Sequence, residues 1–436
     1  MQTRYRPMIL GTLSVFAIIF AVSFSRTDQP STVSADTLKA AAPLKWYRGN
    51  LHTHSLWSDG DDYLEMIAQW YRDHNYDFLC FTDHNTLANR ERWIEVDKVK
   101  NGRKSFEKLK AKFPDWTEER MKEGRLEVRL RRFDEVVEKL AIPGKFLLIQ
   151  GEEVSDKFGK LPIHLNVHNV REVIPPRGGD SVYEVIQNNV DSLTAQRERT
   201  GQPMIIHLNH PNFGWGVAAE DLMRVRGENF FEVYNGHPGV HNDGDEMYAS
   251  TERIWDIINS MRLTQFDLPL LYGLATDDGH NYHNIPSRAS EPGRGWVTVL
   301  AAELTPASLI ENMEAGRFYA SSGVTLDEIT STKNSLSVGV QPDPDATYRI
   351  DFIGTPKGFD PNSEPYRDKD GKKLAVTRKY SSEIGQVLKS VDGTKATYEF
   401  TGKELYVRAR ITSSRKHPNP SVPGEFERAW TQPVRP

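Results

Sequence analysis

Cysteine is nearly absent from this chain: Cys80 is the only one in 436 residues. A disulfide within the chain is therefore excluded. Cys80 sits in the apolar run FLCF (78–81), with no His-rich or acidic turn before it. It reads as a core residue and not as a nucleophile. An excess of basic charge is missing too. Lys and Arg number 55 against 60 Asp and Glu, a net charge of −5, which gives no electrostatic basis for nucleic-acid binding. No GxxxxGK(S/T) loop occurs, so phosphates have no cradle of that type. No GxSxG elbow occurs, which argues against a serine hydrolase. GWGVAA (214–219) matches GxGxxA in letters but lacks the surrounding dinucleotide-binding unit.

Long apolar runs are scarce, with one exception at residues 8–24, preceded by Arg4 and Arg6. This has the form of an export signal within residues 1–35, with small residues at Val33 and Ala35 suited to cleavage and a site near Ser23 or Ser25 as the alternative. At about 17 residues it is also just long enough for an uncleaved anchor. Either way the bulk of the chain is expected outside the cytoplasm, periplasmic or extracellular, and any membrane contact is confined to that segment.

Strand-like runs recur between residues 44 and 280. They are KWYRGNLH (45–52), YDFLCFT (76–82), KFLLIQG (145–151), LPIHLNVH (161–168), PMIIHLN (203–209), FFEVYNG (230–236) and LPLLYGLAT (268–276). Most are near-continuous apolar runs, as in parallel strands covered on both faces. Helical patterns lie between several of them. One of these, after Gly60, puts Leu64, Ile67, Ala68 and Tyr71 on one face. Alternating strands and helices predict an α/β fold, either a barrel or an open parallel sheet. Residues 86–140 form a highly charged insertion, expected to hold two or three surface helices, either a solvated excursion or a lid. After residue 325 short β-like runs separated by Gly, Pro, Asp and Asn predict an all-β, sandwich-like accessory domain over 326–436.

Polar residues cluster at the ends of six of the seven runs. His52 and His54 end the first, with Asp59 just after. Asp83 and His84 end the second, Glu152 and Glu153 the third. His164 and His168 lie in the fourth, His207 and His210 close the fifth, and Asp277, Asp278 and His280 close the seventh. Carboxyl ends of parallel strands form one rim, where active sites are built. Imidazole and carboxylate are the ligands of zinc, manganese or iron. Their number exceeds what one ion needs, so two or three divalent ions sharing bridging groups are expected, with zinc favoured. In an extended HxH segment both imidazoles face the same way and can meet one ion.

Taken in order, HTHSLWSDG, FTDHN, QGEEVS, PIHL, LNHP and TDDGH resemble the polymerase and histidinol phosphatase (PHP) domain family over residues 44–325. The resemblance implies a distorted (β/α)7 barrel with a two- or three-metal site on its rim. It implies that His52, His54, Glu153 and Asp278 hold a first ion. Asp59, His84 and His280 hold or border a second, and Glu153 bridges to a third held by His164 and His210. The family pattern selects Glu153 over Glu152, Asp278 over Asp277 and His210 over His207, with His168 the rival to His164. The export signal, the run EVYNGHPGVHNDGD and the appended β domain look most like a secreted, carbaryl-hydrolase-like branch.

The implied chemistry is hydrolysis by a metal-activated hydroxide, with His52, Asp59, Glu153 and Asp278 at the centre of catalysis. The substrate would be a small-molecule phosphate ester or, alternatively, a carboxylic ester, carbamate or amide. A non-catalytic metal- or ligand-binding module is the remaining alternative. His207, His237, His241 and Asp277 are candidate proton donors to the leaving group, and Asn235 a substrate-orienting residue. His74, His283 and His417 read as surface or loop residues.

Overall fold

The computed structural model describes residues 43–436 except residue 228. The export or anchor segment expected within residues 1–35 lies outside the described residues. Among the described residues no helix is long and apolar enough to cross a membrane.

The chain opens with β1 (Lys45–Asn50), α1 (Leu64–Asp73) and β2 (Phe78–Phe81). All four residues of β2 are buried, because β2 pairs in parallel with β1 on one side and with the next major strand on the other. In α1, Leu64, Ile67, Ala68 and Tyr71 are buried as the 3.6-residue pattern predicts. Glu65, Met66 and Gln69 are buried too, because the insertion covers the helix's other side.

That insertion is only partly helical. It comprises β3 (Arg92–Glu95), α2 (Gly102–Lys112), β4 (Glu119–Lys122), β5 (Arg125–Leu130) and α3 (Phe133–Leu140). The three strands form their own antiparallel sheet, ordered β3-β5-β4. The alternation in RLEVRL explains the departure from the helical expectation: Val128 and Leu130 face inward between charged neighbours. Phe106, Leu109, Val128, Leu130, Val136 and Leu140 pack with Tyr63 and Ile67 in one cluster.

Next comes the hairpin of β6 (Leu147–Phe158) and β7 (Leu161–His168). Pairing runs antiparallel from Gly151↔His168 to Phe158↔Leu161, and Gly159, at φ +61°, supplies the left-handed residue of the tight reversal. The fourth run therefore goes down the sheet, not up it, and the rim is not built solely from carboxyl ends. Then follow α4 (Val182–Thr200), β8 (Ile205–Leu208), α5 (Ala219–Leu222), β9 (Phe230–Asn235), α6 (Thr251–Met261) and β10 (Tyr272–Thr276). Strands β8, β9 and β10 are mutually parallel, and β7–β8 is antiparallel. β11 (Trp296–Ala301), α7 (Pro306–Glu314) and β12 (Phe318–Ser321) complete this part, with β11 antiparallel to β1.

The C-terminal strands are β13 (Leu326–Ser331), β14 (Ser335–Val340), β15 (Tyr348–Pro356), β16 (Ser363–Glu364), β17 (Lys379–Tyr380), β18 (Gln386–Asp392), β19 (Lys395–Glu399), β20 (Glu404–Lys416) and β21 (Phe426–Thr431). The large sheet runs β10-β9-β8-β7-β6-β2-β1-β11-β12-β21-β20-β15-β18, so it is continuous across the boundary expected near residue 325. A second sheet, β13-β14-β19, packs its apolar residues with those of β15 and β20. The fold is thus mixed α/β around a large sheet that combines parallel and antiparallel pairs. A buried ion pair ties its two parts: Arg408 on β20 meets Asp256 on α6 through Nε–Oδ1 at 2.9 Å and Nη2–Oδ2 at 2.7 Å.

Candidate metal centre

The loop after β1 is shaped before any ligand is considered. Asn50 donates through Nδ2 to the His52 carbonyl and to Thr53 Oγ1. Asp83 clamps the far side, accepting from the Ser55 amide at 2.8 Å and from the hydroxyls of Ser55 and Ser58. Gly60 closes the turn against the His54 carbonyl, where a Cβ would stand 2.5 Å from that oxygen. His52 and His54 are thereby fixed side by side, both fully buried.

Glu153 and Asp278 meet them. His52 Nε2 and His54 Nε2 each lie 3.3 Å from Asp278 Oδ1, and 3.5 and 3.2 Å from Glu153 Oε2. Asp278 holds φ +51°, a left-handed conformation that few non-glycine residues adopt and that concentrates at functional sites. A second group gathers around Asp59. Its Oδ1 is 3.5 Å from His84 Nε2, 3.4 Å from His280 Nε2 and 3.8 Å from His54 Nδ1. On the other side of Glu153, Oε1 stands 3.0 Å from His164 Nδ1 and 3.5 Å from His210 Nε2, while Oε2 is 2.8 Å from His84 Nδ1. All nine positions singled out in the sequence therefore converge. Ligand-type atoms fall into overlapping sets within 4.8 Å: His54, Asp59, His84 and His280; His52, His54 and Asp278; His52, Glu153 and His210; His84, Glu153 and His164; and His52, His207 and Glu232.

Electrostatics calls for cations here. Among the described residues, no Lys or Arg pairs with Asp59, Glu153 or Asp278. Burial alone would raise the Glu153 carboxyl, yet His84, His52 and His164 hold it well below the usual range. Burial works against a charged His84 as well, but Glu153 and Asp59 push it up to about 11. Protons could balance these carboxylates in part. However, His52 Nε2, both ring nitrogens of His54 and Glu153 Oε2 are buried without a well-formed hydrogen bond. Orphaned donor atoms converging on one point cost free energy unless something binds them, and divalent metal fits this imidazole–carboxylate set.

Several expectations need correction. His168, the rival to His164, lies at the far end of β7, bonded through Nε2 to His207 Nδ1 at 3.0 Å and through Nδ1 to the Cys80 thiol. The antiparallel course of β7 explains this. Burial pushes the Cys80 thiol well up, in keeping with a core role. Of the four proton-donor candidates, three are committed elsewhere. His207 is buried in that interior chain, and His241 stacks on Trp215. Asp277 accepts from Tyr71 Oη and from the amides of Arg294 and Gly295. His237 alone borders the centre, its ring 5.8 Å from that of His280. Asn235 faces no solvent; its Nδ2 donates to Asp278 Oδ2 at 3.1 Å. His74 is exposed as expected, but His283 and His417 are buried.

Sequence reasoning missed Asn209, which donates through Nδ2 to Glu153 Oε1 at 2.8 Å, and Glu232, fully buried on β9. A lone carboxylate in the apolar run FFEVYN was the signal available for Glu232.

The side chains thus define a centre suited to divalent cations within the large mixed sheet. No family model matches the chain, and no curated protein matches it. Solved structures similar to it include a two-domain protein of Bacteroides vulgatus with a part assigned by prediction as a PHP-like metal-dependent phosphoesterase. The identity is 14%, covering 89% of this chain and 95% of that one, with a TM-score of 0.38. PsfC from Pseudomonas syringae is 13% identical over 62% of this chain and 88% of its own, with a TM-score of 0.31. A Bifidobacterium adolescentis protein provisionally assigned as a metal-dependent phosphoesterase is 12% identical over 53% and 87%, with a TM-score of 0.28.

Proposed function

We propose that this protein is a metal-dependent hydrolase of the PHP type, acting on a small phosphate ester at a centre of two or three divalent ions, zinc foremost. The observation that carries the reading is the convergence of orphaned, buried ligand atoms from His52, His54 and Glu153 on the carboxylate of Asp278. Ions held there would acidify water and withdraw charge from the group under attack. Glu153 would be shared between ions, and the facing of its two oxygens toward different histidine sets supports this. Asp59, whose side chain is 58% exposed, opens the second group toward solvent and substrate.

His237 completes the site on this reading. Its Nδ1 accepts the Gly239 amide proton at 2.9 Å, so its own ring proton sits on Nε2. Burial pushes it down to about 4 although Asp278 pulls upward. The ring is therefore neutral near pH 7 and can offer a leaving-group oxygen a hydrogen bond through Nε2–H. Exposed Arg90 holds its guanidinium 5.8 Å from the ring centroid of Trp57, which precedes Asp59 by two residues, and on this reading its positive charge would serve an anionic substrate. Residues 44–325 would form the hydrolase domain, a distorted seven-unit barrel, and 326–436 an accessory domain of an exported protein.

The test is metal analysis of the purified protein combined with paired assays on phosphate-ester and carboxylic-ester or carbamate substrates. Phosphate-ester hydrolysis that disappears in His52→Ala supports the proposal. Acyl or carbamate hydrolysis alone would transfer the same centre to the other chemistry, and a full metal complement without hydrolysis would overturn an enzymatic role.

A further inference from the structure

Glu232 is buried inside the sheet, and among the described residues no Lys or Arg pairs with it. Five groups donate to it instead. Oε1 accepts from His52 Nδ1 at 2.7 Å, from Thr276 Oγ1 at 2.8 Å and from His207 Nε2 at 3.3 Å. Oε2 accepts from the His210 backbone amide at 2.7 Å and from Asn235 Nδ2 at 2.8 Å, and Asn235 Nδ2 also reaches Asp278. One carboxylate thus touches the ring of one candidate ligand, the backbone of a second and, through one amide, the carboxylate of a third.

The donor polarity is fixed from behind. An imidazole with one hydrogen-bonded nitrogen presents the other according to where its proton sits. A carboxylate can only accept, so His52 carries a proton on Nδ1, and Nε2, which faces Glu153 and Asp278, is the nitrogen left for a cation to take. We infer that Glu232 is a positioning residue that sets which His52 nitrogen is protonated, and so makes His52 Nε2 available as a ligand. The inference rests on the metal-centre reading for its consequence, but its protonation claim stands on the hydrogen bonds alone. His207 and His168 complete the arrangement. Cys80 Sγ–H to His168 Nδ1, His168 Nε2–H to His207 Nδ1 and His207 Nε2–H to Glu232 form one consistent run of donors ending on the carboxylate.

The substitution Glu232→Gln tests this, because its amide cannot choose its orientation. Oε2 faces the His210 N–H, an obligate donor, so the glutamine oxygen must take that place. The NH2 group then faces His52 Nδ1. His52 must accept there and move its proton to Nε2, where it blocks ligation. The expected result is a fully folded variant that loses the ion shared by His52, His54 and Asp278, with a 10- to 100-fold weaker affinity for zinc at that position. The ion held by Asp59, His84 and His280 is retained. Glu152→Gln is the control: Glu152 is an equally buried neighbour that accepts from the Ile174 amide and touches no ligand, and it should leave zinc content unchanged.

The second measurement uses nitrogen-15 NMR of histidine-labelled protein without added metal. In the unsubstituted protein His52 Nδ1 should be protonated, and in E232Q it should not be. Wild-type zinc stoichiometry and affinity in E232Q, or an unprotonated Nδ1 in the unsubstituted protein, would overturn the inference. If the unsubstituted protein binds no divalent ion yet shows the protonated Nδ1, the metal-centre reading fails while the positioning role of Glu232 stands.

Discussion

Glu153 Oε2 lies 2.8 Å from His84 Nδ1, at the seam where the histidine sets of the centre meet. Because its other oxygen faces His164 and His210, no other carboxylate in the site spans so many candidate ligands. Glu153→Gln keeps the shape and removes the charge. It is expected to lower the divalent-ion content by at least one per chain and phosphate-ester turnover by at least about 10²-fold. Plasma emission analysis and steady-state kinetics on the same preparation check both. Unchanged ion content would remove Glu153 from the bridging position.

Asp277 and Asp278 are adjacent but perform different tasks, and conservative variants should separate them. Asp278→Asn is compatible with the left-handed backbone, since Asn tolerates that region well. It should fold normally and lose metal. Asp277→Asn disturbs the bond from Tyr71 Oη and weakens acceptance from the Arg294 and Gly295 amides. A loss of about 1–3 kcal/mol in stability is expected, with metal content preserved. Denaturant melts and metal analysis on both variants distinguish the two outcomes.

The C-terminal strands are fastened to α6 by a charge pair that water does not reach. Arg408 is 1% exposed and grips Asp256 with two bonds, while Tyr406 Oη donates to the same carboxylate at 2.8 Å. Removing one member of such a pair leaves the other charged, buried and unpaired. Arg408→Ala should therefore cost about 3–5 kcal/mol. A single cooperative melt that shifts as a whole is expected, because the large sheet is continuous across residue 325. Two resolved transitions, with only one moved, would show the C-terminal strands unfolding on their own.

How much of this was legible in the sequence depends on range. The HxH spacing acts locally, so the pairing of His52 with His54 could be placed from letters. The choice of Asp278 over Asp277 came from the family resemblance, and Asp278 sits in a left-handed, not extended, conformation. Strand direction could not be read from letters. The four-residue interval between His164 and His168 puts both on one face whichever way β7 runs, and only the Gly159 reversal decides which lies at the centre. Glu232 was overlooked because its neighbours make a strand and its partners lie 3 to 180 residues away. The insertion was read as helical because its charge density resembles exposed helices, whereas the alternation in 125–130 carried the strand signal. His417 was read as a surface or loop residue; it does follow β20 in a loop, but it is buried there.

His417 gives the last prediction, in pH. It is 5% exposed, its Nδ1 accepts the Asn419 amide proton at 3.0 Å, and burial together with the Arg294 charge pushes it down to about 4. In the unfolded chain it titrates near the ordinary histidine value of about 6.5. Between those two values the unfolded state binds the extra proton, so stability falls as pH drops through that window and the loss is complete near pH 4. His417 alone would account for up to about 3 kcal/mol of that loss. Other groups also take up protons on acidification, so the informative quantity is a difference. Denaturant melts of the unsubstituted protein and His417→Gln at intervals from pH 7 to pH 4 should diverge in slope, the variant losing less stability on acidification. Parallel curves would mean that the His417 ring is already solvated or protonated in the folded protein.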